Sequence, residues 1–321
     1  MNTVLSKDDV QHVMPNSEPK PEFSIPATTR LGDVHLTVAN LDAQISFYQK
    51  TLGMQLHWRE GASAGLGAGE QDLLRLTEVQ GARRAQRTTG LYHLALMYPN
   101  RKELARAMAR LFALHYPNAP TDHGMSKSIY LDDAEGNTIE LYILSLGDAR
   151  LAIENGRGVA YYADGRIGTG RDRLDVEALL RELNPNDRLD LPLPKETRLG
   201  HVNLYASSLQ PMRQFYRDLL GFSNGLNWDE MGSFDVGLGE LQPHIIAVNT
   251  WKGTGIPPAP ADALGIRYFT IELPNQIELG RVLERVQQAG ITTEETEEGI
   301  LVHDPSSINV VLTSTNQSKN S

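Results

Sequence analysis

The sequence predicts an α+β fold made of four βαβββ modules in two tandem halves. Three observations lead to this prediction. A strand pattern followed by an amphipathic helix pattern begins near residues 31, 91, 199 and 266. Short strand-like runs follow the helix patterns. The chain has 321 residues, 40% of them hydrophobic, which is enough for two average domains or one duplicated unit.

The first module occupies residues 31–80. Its opening residues, Leu-Gly-Asp-Val-His-Leu-Thr-Val, alternate like a half-buried strand. A helix is predicted from Asp42, because Ile45 and Leu52 share one face and Gly53 follows as a C-cap. Strand-like pieces separated by glycines complete the module.

The second module occupies residues 91–144. Leu91–Met97 is predicted to be a strand and Arg101–Leu114 an amphipathic helix. The β-rich runs Ser128–Leu131 and Thr138–Ile143 flank the sequence Asp-Ala-Glu-Gly-Asn, which predicts a hairpin.

The pattern breaks after residue 145. The following stretch is rich in Gly, Arg, Asp and Pro, and its one helix pattern is Val176–Leu183. A connection of this length without periodicity is unusual inside a compact unit. We therefore predict that residues 146–197 form a crossover linker between the two halves.

The module pattern returns in the second half. Leu199-Gly-His-Val-Asn-Leu matches Leu31-Gly-Asp-Val-His-Leu, and Phe215-Tyr-Arg-Asp-Leu-Leu-Gly matches Phe47-Tyr-Gln-Lys-Thr-Leu-Gly. Internal repeats of this clarity define the architecture. The predicted division is a disordered N-terminal tail (1–29), a first half with modules one and two (30–145), the crossover linker (146–197), a second half with modules three and four (198–314) and a short tail (315–321).

Composition excludes several classes of function. The formal net charge of −10 gives no electrostatic footprint for nucleic acid or an anionic membrane. No apolar run approaches the ~20 residues of a membrane span, and residues 1–25 lack the apolar core of a signal peptide, so we expect a cytoplasmic protein. The chain has no cysteine, so histidines and carboxylates must hold any metal, which suits iron, manganese or zinc.

Glu140 stands among apolar and aromatic residues in the second strand of the predicted hairpin. A buried carboxylate is costly unless it is paired or binds a metal, and the alternative is an edge-strand glutamate that faces water. His93, on the first strand of the same module, is either a core histidine bonded to a backbone carbonyl or a metal ligand.

The stretch Thr121-Asp-His-x5-Ile-Tyr-x2-Asp-Ala-x-Gly-x3-Glu resembles the signature of type I extradiol dioxygenases of the catechol 2,3-dioxygenase type. These enzymes are a branch of the vicinal oxygen chelate superfamily (glyoxalase/bleomycin resistance/extradiol dioxygenase). The likeness extends over residues 30–313. It departs at Ala134, where the family usually has a proline that stiffens the turn.

The resemblance implies that pairs of modules curl into open β-barrel cups. One cup would hold a metal through a histidine from the first strand of each module and a glutamate from the last strand of one. Such a triad binds Fe(II), with Mn(II) as an alternative, and leaves positions open for ligands. The implied activity is extradiol ring cleavage of a catechol-type aromatic diol with dioxygen.

His93 and Glu140 are two of the implied metal ligands, and two candidates compete for the third position. In the aligned repeats the position of His93 falls on His201 in module three and on Asp33 in module one, whereas His35 lies two residues later. His201 would form the metal cup from modules two and three and leave modules one and four as an inert cup. His35 would place the whole triad in the first half.

The resemblance also implies three catalytic residues. His244 would move a proton of the diol, His123 would hydrogen-bond a substrate oxygen, and Tyr130 would donate a hydrogen bond in the same region. Without the resemblance, His244 is a surface or core residue, His123 a loop cap and Tyr130 a strand residue with a solvated hydroxyl.

Two other functions remain open on the same scaffold. One is a glyoxalase-like metal-dependent isomerase or lyase, with His244 as a fourth ligand, and the other is a small-molecule binding protein that lacks a metal.

We expect the protein to bind an aromatic diol and dioxygen, to bind neither nucleic acid nor a membrane, and to form a homo-oligomer. Three tryptophans are candidates to line the substrate pocket: Trp58, Trp228 and, best placed, Trp251.

Overall fold

The computed structural model describes residues 22–315, and the rest of the two predicted tails lies outside the described residues. Residues 22–29, which the sequence assigns to the N-terminal tail, are packed against the fold. Ile25 is buried, and its N–H donates to the carbonyl of Gly221 over 3.0 Å. Phe23 also packs on the hydrophobic core. These two apolar side chains explain why this part of the predicted tail is ordered.

The first half contains the two predicted modules. Module one consists of β1 (Arg30–Val38), α1 (Leu41–Phe47) with a π-helical turn (Tyr48–Leu52), β2 (Gln55–Glu60), β3 (Ser63–Ala68) and β4 (Gln71–Glu78). Module two consists of β5 (Gly90–Met97), α2 (Arg101–Ala113), β6 (Ala119–Asp122), β7 (Ser126–Asp132) and β8 (Thr138–Leu144). Asn40 and Asn100 cap the two helices by accepting a hydrogen bond from a backbone N–H of the first turn.

The segment between the halves is more structured than the sequence predicts. It contains β9 (Ala149–Glu154), β10 (Arg157–Tyr162), β11 (Ile167–Gly168), β12 (Asp172–Arg173) and α3 (Val176–Leu180). The hairpin of β9 and β10 buries a small core of its own around Ala160 and Tyr162, and β12 pairs with β6 of module two. We call residues 146–173 the inserted segment.

The second half repeats the module pattern. Module three consists of β13 (Arg198–Tyr205), α4 (Leu209–Arg213) with a π-helical turn (Gln214–Leu219), β14 (Ser223–Trp228), β15 (Ser233–Gly237) and β16 (Ile246–Asn249). Module four consists of β17 (Gly265–Leu273), α5 (Gln276–Gln288), β18 (Thr293–Thr296), β19 (Gly299–His303) and β20 (Asn309–Ser314). Over residues 22–315, no helix is both long and apolar enough to cross a membrane.

Modules pair across the two halves of the chain. One sheet has nine strands in the order β12–β6–β7–β8–β5–β13–β16–β15–β14, and the other has eight in the order β18–β19–β20–β17–β1–β4–β3–β2. Antiparallel pairing of β5 with β13 joins modules two and three, and pairing of β1 with β17 joins modules one and four. Both sheets are open. The predicted partnership of modules two and three is therefore confirmed.

The central strands of the nine-stranded sheet present two different faces. One face is fully buried in a core that includes residues of both sheets and the helices, through Leu94, Leu96, Val202 and Leu204. Side chains alternate along a strand, so the intervening residues face the other side of the sheet. His93 and His201 belong to this second face.

In the eight-stranded sheet an ion pair occupies the corresponding place. Asp33 has the position of His201 in the repeat, and its carboxylate lies 2.8 Å from Nε of Arg75. Tyr268 stands where module two has His93. This sheet therefore has a carboxylate and a tyrosine where the other sheet has two imidazoles, and the half-buried guanidinium of Arg75 pairs with the carboxylate.

The pH dependence of stability tests the partly buried environment of His35. Burial, and then the charges of Arg267 and Arg75, lower the pKa of His35 to about 3. The unfolded chain takes up this proton near pH 6.5, so below that pH His35 subtracts up to ~1.4 kcal/mol from the free energy of unfolding per pH unit. His35→Gln, which can keep the bond to Thr77, should reduce this loss.

Urea unfolding of both proteins between about pH 7 and pH 4 measures the effect. His303→Gln is the control, because His303 is exposed at the end of β19. A loss of stability as steep in His35→Gln as in the wild type would contradict a neutral buried imidazole at His35.

Candidate functional site

Three side chains from three strands converge on one face of the nine-stranded sheet. His93 lies on β5, Glu140 on β8 and His201 on β13, and β5 is the strand between the other two. The Nε2 atoms of His93 and His201 are 3.0 Å apart. Oε2 of Glu140 lies 3.2 Å from Nε2 of His93 and 3.1 Å from Nε2 of His201. All three side chains are almost fully buried.

These separations fit a shared metal ion. Two donor atoms that bind one ion at right angles, each about 2.1 Å away, lie about 3.0 Å from each other. The three observed separations, 3.0, 3.1 and 3.2 Å, match one face of an octahedron. Within the described part of the chain, no other group of three histidine or carboxylate donors converges as closely.

The electrostatics of the triad favour the metal-binding protonation state. Burial opposes the charge on Glu140, but His201 and His93 outweigh burial and hold the pKa of this carboxyl well below its ordinary value. Burial lowers the pKa of His201 to about 3. The hydroxyl of Ser128 donates to Oε1 of Glu140 over 2.6 Å and fixes its second oxygen. Near neutral pH the site therefore offers a carboxylate and a neutral imidazole.

Aromatic rings orient the two imidazoles. Tyr142 packs edge-on against His201 with ring centroids 5.0 Å apart, and Tyr130 packs against His93 at 5.7 Å. A side chain at Gly200 would meet the Tyr142 hydroxyl at 2.1 Å. Glycine next to His201 therefore leaves the room that Tyr142 needs.

His244 lies beside the triad, two residues before β16 begins. Its ring packs edge-on against His201 with centroids 4.3 Å apart, and its Nδ1–H donates to Oδ2 of Asp235 over 2.6 Å. Burial alone lowers the pKa of His244, but the Asp235 carboxylate outweighs burial and raises it. Sequence reasoning missed Asp235, although a carboxylate between apolar strand residues is the signal that marked Glu140.

His123 and Tyr130 form a hydrogen-bonded pair next to the triad. Nδ1 of His123 lies 2.7 Å from the carbonyl of Gly170. A carbonyl only accepts, so Nδ1 carries the proton and Nε2 accepts from the Tyr130 hydroxyl at 2.9 Å. Burial lowers the pKa of His123, which keeps the ring neutral. Since Gly170 belongs to the inserted segment, that segment holds His123 in place.

A cavity of about 450 Å³ opens over these side chains. The triad, His123, Tyr130 and His244 all line it, and much of the remaining wall is aromatic or aliphatic, including Tyr92, Leu144, Leu151, Trp228 and Trp251. Trp58 does not reach the cavity, because it lies in the eight-stranded sheet and donates to Asp72. The cavity therefore joins a polar floor to apolar walls.

His35 lies in the eight-stranded sheet, away from the cavity. Its Nε2 is 2.8 Å from Oγ1 of Thr77. Of the two candidates for the third position, the structure brings His201 to His93 and Glu140, and not His35.

The chain is similar to known proteins in both sequence and structure. A family model described as the glyoxalase/bleomycin resistance protein/dioxygenase superfamily matches residues 30–141. A catechol-2,3-dioxygenase of Bacillus subtilis (strain 168) is 36% identical over 285 residues, which make up 88% of this chain and 96% of the relative.

Two solved structures share the fold at low sequence identity. A Bacillus subtilis protein described as a candidate dioxygenase has a TM-score of 0.63 and 11% identity, over 91% of this chain and 86% of that one. Glyoxalase I from Zea mays has a TM-score of 0.53 and 15% identity, over 89% of this chain and 92% of that one. The relative that is 36% identical over most of both chains shows that this chain belongs to the glyoxalase/bleomycin resistance protein/dioxygenase superfamily.

Proposed function

We propose that this chain is an extradiol dioxygenase that cleaves the ring of a catechol-type aromatic diol with dioxygen. The observation that carries the proposal is the convergence of two imidazoles and one carboxylate at the floor of an aromatic cavity. The 36% identical relative, a catechol-2,3-dioxygenase, supports it. The reaction breaks the ring C–C bond between one hydroxyl-bearing carbon and its neighbour without a hydroxyl group, and both atoms of dioxygen enter the product.

His93, His201 and Glu140 would hold the metal, which we propose to be Fe(II), with Mn(II) as the alternative. When bound, the metal supplies a centre at which the diol and dioxygen meet and through which electrons pass between them. Neutral imidazoles and one carboxylate leave a divalent ion with net positive charge, which favours an anionic diol.

His244 would accept a proton from the diol. The Nδ1–H of His244 donates a hydrogen bond to Asp235, so Nε2 is the ring atom that remains for proton transfer. The raised pKa suits a group that takes up a proton near neutral pH and returns it later.

Tyr130 and His123 would orient the substrate oxygens. The Tyr130 hydroxyl donates to Nε2 of His123 in the structure, and its rotation would let it donate to a substrate oxygen at the floor of the cavity. Gly170 fixes the tautomer of His123, so this ring presents an acceptor nitrogen there.

The placement of His244 favours a dioxygenase over a glyoxalase-like isomerase or lyase. That chemistry usually uses four protein ligands, and His244 is the candidate for the fourth. The three donors that converge to within 4.8 Å of one another do not include His244.

Oxygen uptake tests the proposed reaction. The protein is reconstituted with Fe(II) without oxygen, and catechol in aerated buffer is then added. We expect one dioxygen consumed per catechol and a yellow ring-opened product. If the protein binds the metal but consumes no oxygen across a panel of catechols and hydroquinones, the isomerase becomes the better account.

Metal binding tests the ligand set. His201→Ala should weaken Mn(II) binding by more than about a hundredfold, because loss of a direct ligand costs more than loss of an outer partner. His35→Ala should leave the affinity unchanged. Calorimetric titration with Mn(II) measures both variants, and metal loss in His35→Ala with retention in His201→Ala would place the site in the first half.

Replacement of His244 separates proton transfer from metal ligation. His244→Gln should lower kcat by about 10²–10⁴-fold, the usual contribution of general acid–base catalysis. Mn(II) affinity should stay at the wild-type value, and the exposed His303→Gln should change neither quantity. A joint fall of kcat and Mn(II) affinity would instead identify His244 as a fourth ligand.

A further inference from the structure

The cavity is larger than a catechol needs. Its volume of about 450 Å³ lies in the range of about 300–1,000 Å³ that is typical of pockets for drug-sized ligands, whereas catechol is a single six-membered ring with two hydroxyl groups. A diol bound at the triad therefore fills the floor and leaves the outer part of the cavity for a ring substituent.

The inserted segment contributes six residues to the lining of the cavity. Its lining residues are Leu146, Ala149, Arg150, Leu151, Gly170 and Arg171. Among the described residues that line the cavity, the only arginine or lysine side chains are Arg150 and Arg171. A chain of net charge −10 thus places two cations on the wall of its cavity.

The guanidinium groups of both arginines lie over aromatic rings. Arg150 packs over the ring of Tyr161, with its guanidinium carbon 4.6 Å from the ring centroid. The hydrogen bond that Arg171 makes to Thr169 comes from its backbone N–H. Over residues 22–315, no hydrogen bond or ion pair of the Arg171 guanidinium is found. Its donors are therefore available to a ligand.

The carboxylates at the cavity floor do not neutralise Arg171. Glu140 is held by the two imidazoles of the triad, and Asp235 is bound to His244. A third lining carboxylate, Glu240, lies exposed on the loop after β15. Among the described residues, none of these three carboxylates forms an ion pair with Arg171.

Arg171 lies on the cavity wall beside the ring of Trp251. Its guanidinium carbon is 5.5 Å from the ring centroid of Trp251, which packs edge-on against Tyr92 at 5.4 Å. Burial dominates the pKa values of Tyr130 and His123, and the charge of Arg171 acts to lower both. The guanidinium is thus at the cavity rim and still within electrostatic reach of the floor.

A guanidinium beside an aromatic ring keeps a planar fork of N–H donors. Such a fork matches the two oxygens of a carboxylate, and the paired, charge-assisted bonds add both specificity and affinity. In a chain that repels anions overall, a local cation is needed to bring an anionic group to the cavity.

We infer that Arg171 binds an anionic ring substituent, so that the preferred substrate is a catechol carrying a carboxylate on the side of the ring away from the diol. This inference rests on the proposed function. It makes the inserted segment the part of the chain that selects among catechols.

The test compares two probes of the same shape and different charge, 3,4-dihydroxybenzoate and 3,4-dihydroxybenzamide. The wild-type protein, loaded with Fe(II), should show a higher kcat/KM for the carboxylate. Arg171→Gln should lower the carboxylate-to-amide ratio about tenfold, because it removes a charge-assisted bond. Arg173→Gln, which removes the same charge from an exposed side chain outside the cavity, should leave the ratio unchanged.

Anaerobic calorimetry of the same probes gives a readout independent of turnover. The ratio of the two dissociation constants should shift in Arg171→Gln as the kinetic ratio does. An unchanged ratio in Arg171→Gln, whether the values for the two probes stay the same or fall by the same factor, would overturn the anion site and leave the dioxygenase proposal intact. A charge-dependent binding ratio without any ring opening would instead retain the anion site and reject the dioxygenase.

Discussion

The antiparallel pairing of β5 with β13 is the contact on which the candidate site depends. His93 comes from the first half of the chain and His201 from the second, and this pairing brings their Nε2 atoms to 3.0 Å. β8 runs parallel to β5 on its other side and adds Glu140. Neither half contains the complete donor set, so the site exists only when both halves fold together.

The two sheets show how one scaffold can keep or lose a metal site. The nine-stranded sheet buries a carboxylate with two imidazoles, which leaves room for an exchangeable cation. In the eight-stranded sheet the buried carboxylate of Asp33 pairs with the guanidinium of Arg75. This positive charge belongs to a side chain and cannot exchange as a metal ion can. An arginine offsets the buried charge without offering open positions to a ligand.

Much of this arrangement could be predicted from sequence because it depends on repeats and periodicity. Alignment of the repeats placed His201, and not His35, in register with His93, since a shift of register in a strand changes every contact along it. The same alignment identified modules two and three as partners. The helix predicted at Arg101–Leu114 ends within one residue of the observed α2.

The missed features depend on side-chain packing and pairing that periodicity does not reveal. The strands of the inserted segment are two to six residues long, and packing around Ala160 stabilises them where periodicity is weak. Asp235 is a single carboxylate in a short strand, and its importance is visible only through His244. The order of residues 22–29 likewise depends on Ile25 meeting Gly221, far along the chain.

A crystal structure of the protein soaked with Mn(II), with anomalous scattering data, tests the central claim most directly. The account predicts an anomalous peak about 2.1–2.2 Å from Nε2 of His93, Nε2 of His201 and one carboxylate oxygen of Glu140. It predicts no peak beside Asp33 in the other sheet. A peak that includes His35, or no peak among the three donors at saturating Mn(II), would contradict a metal site built across the two halves.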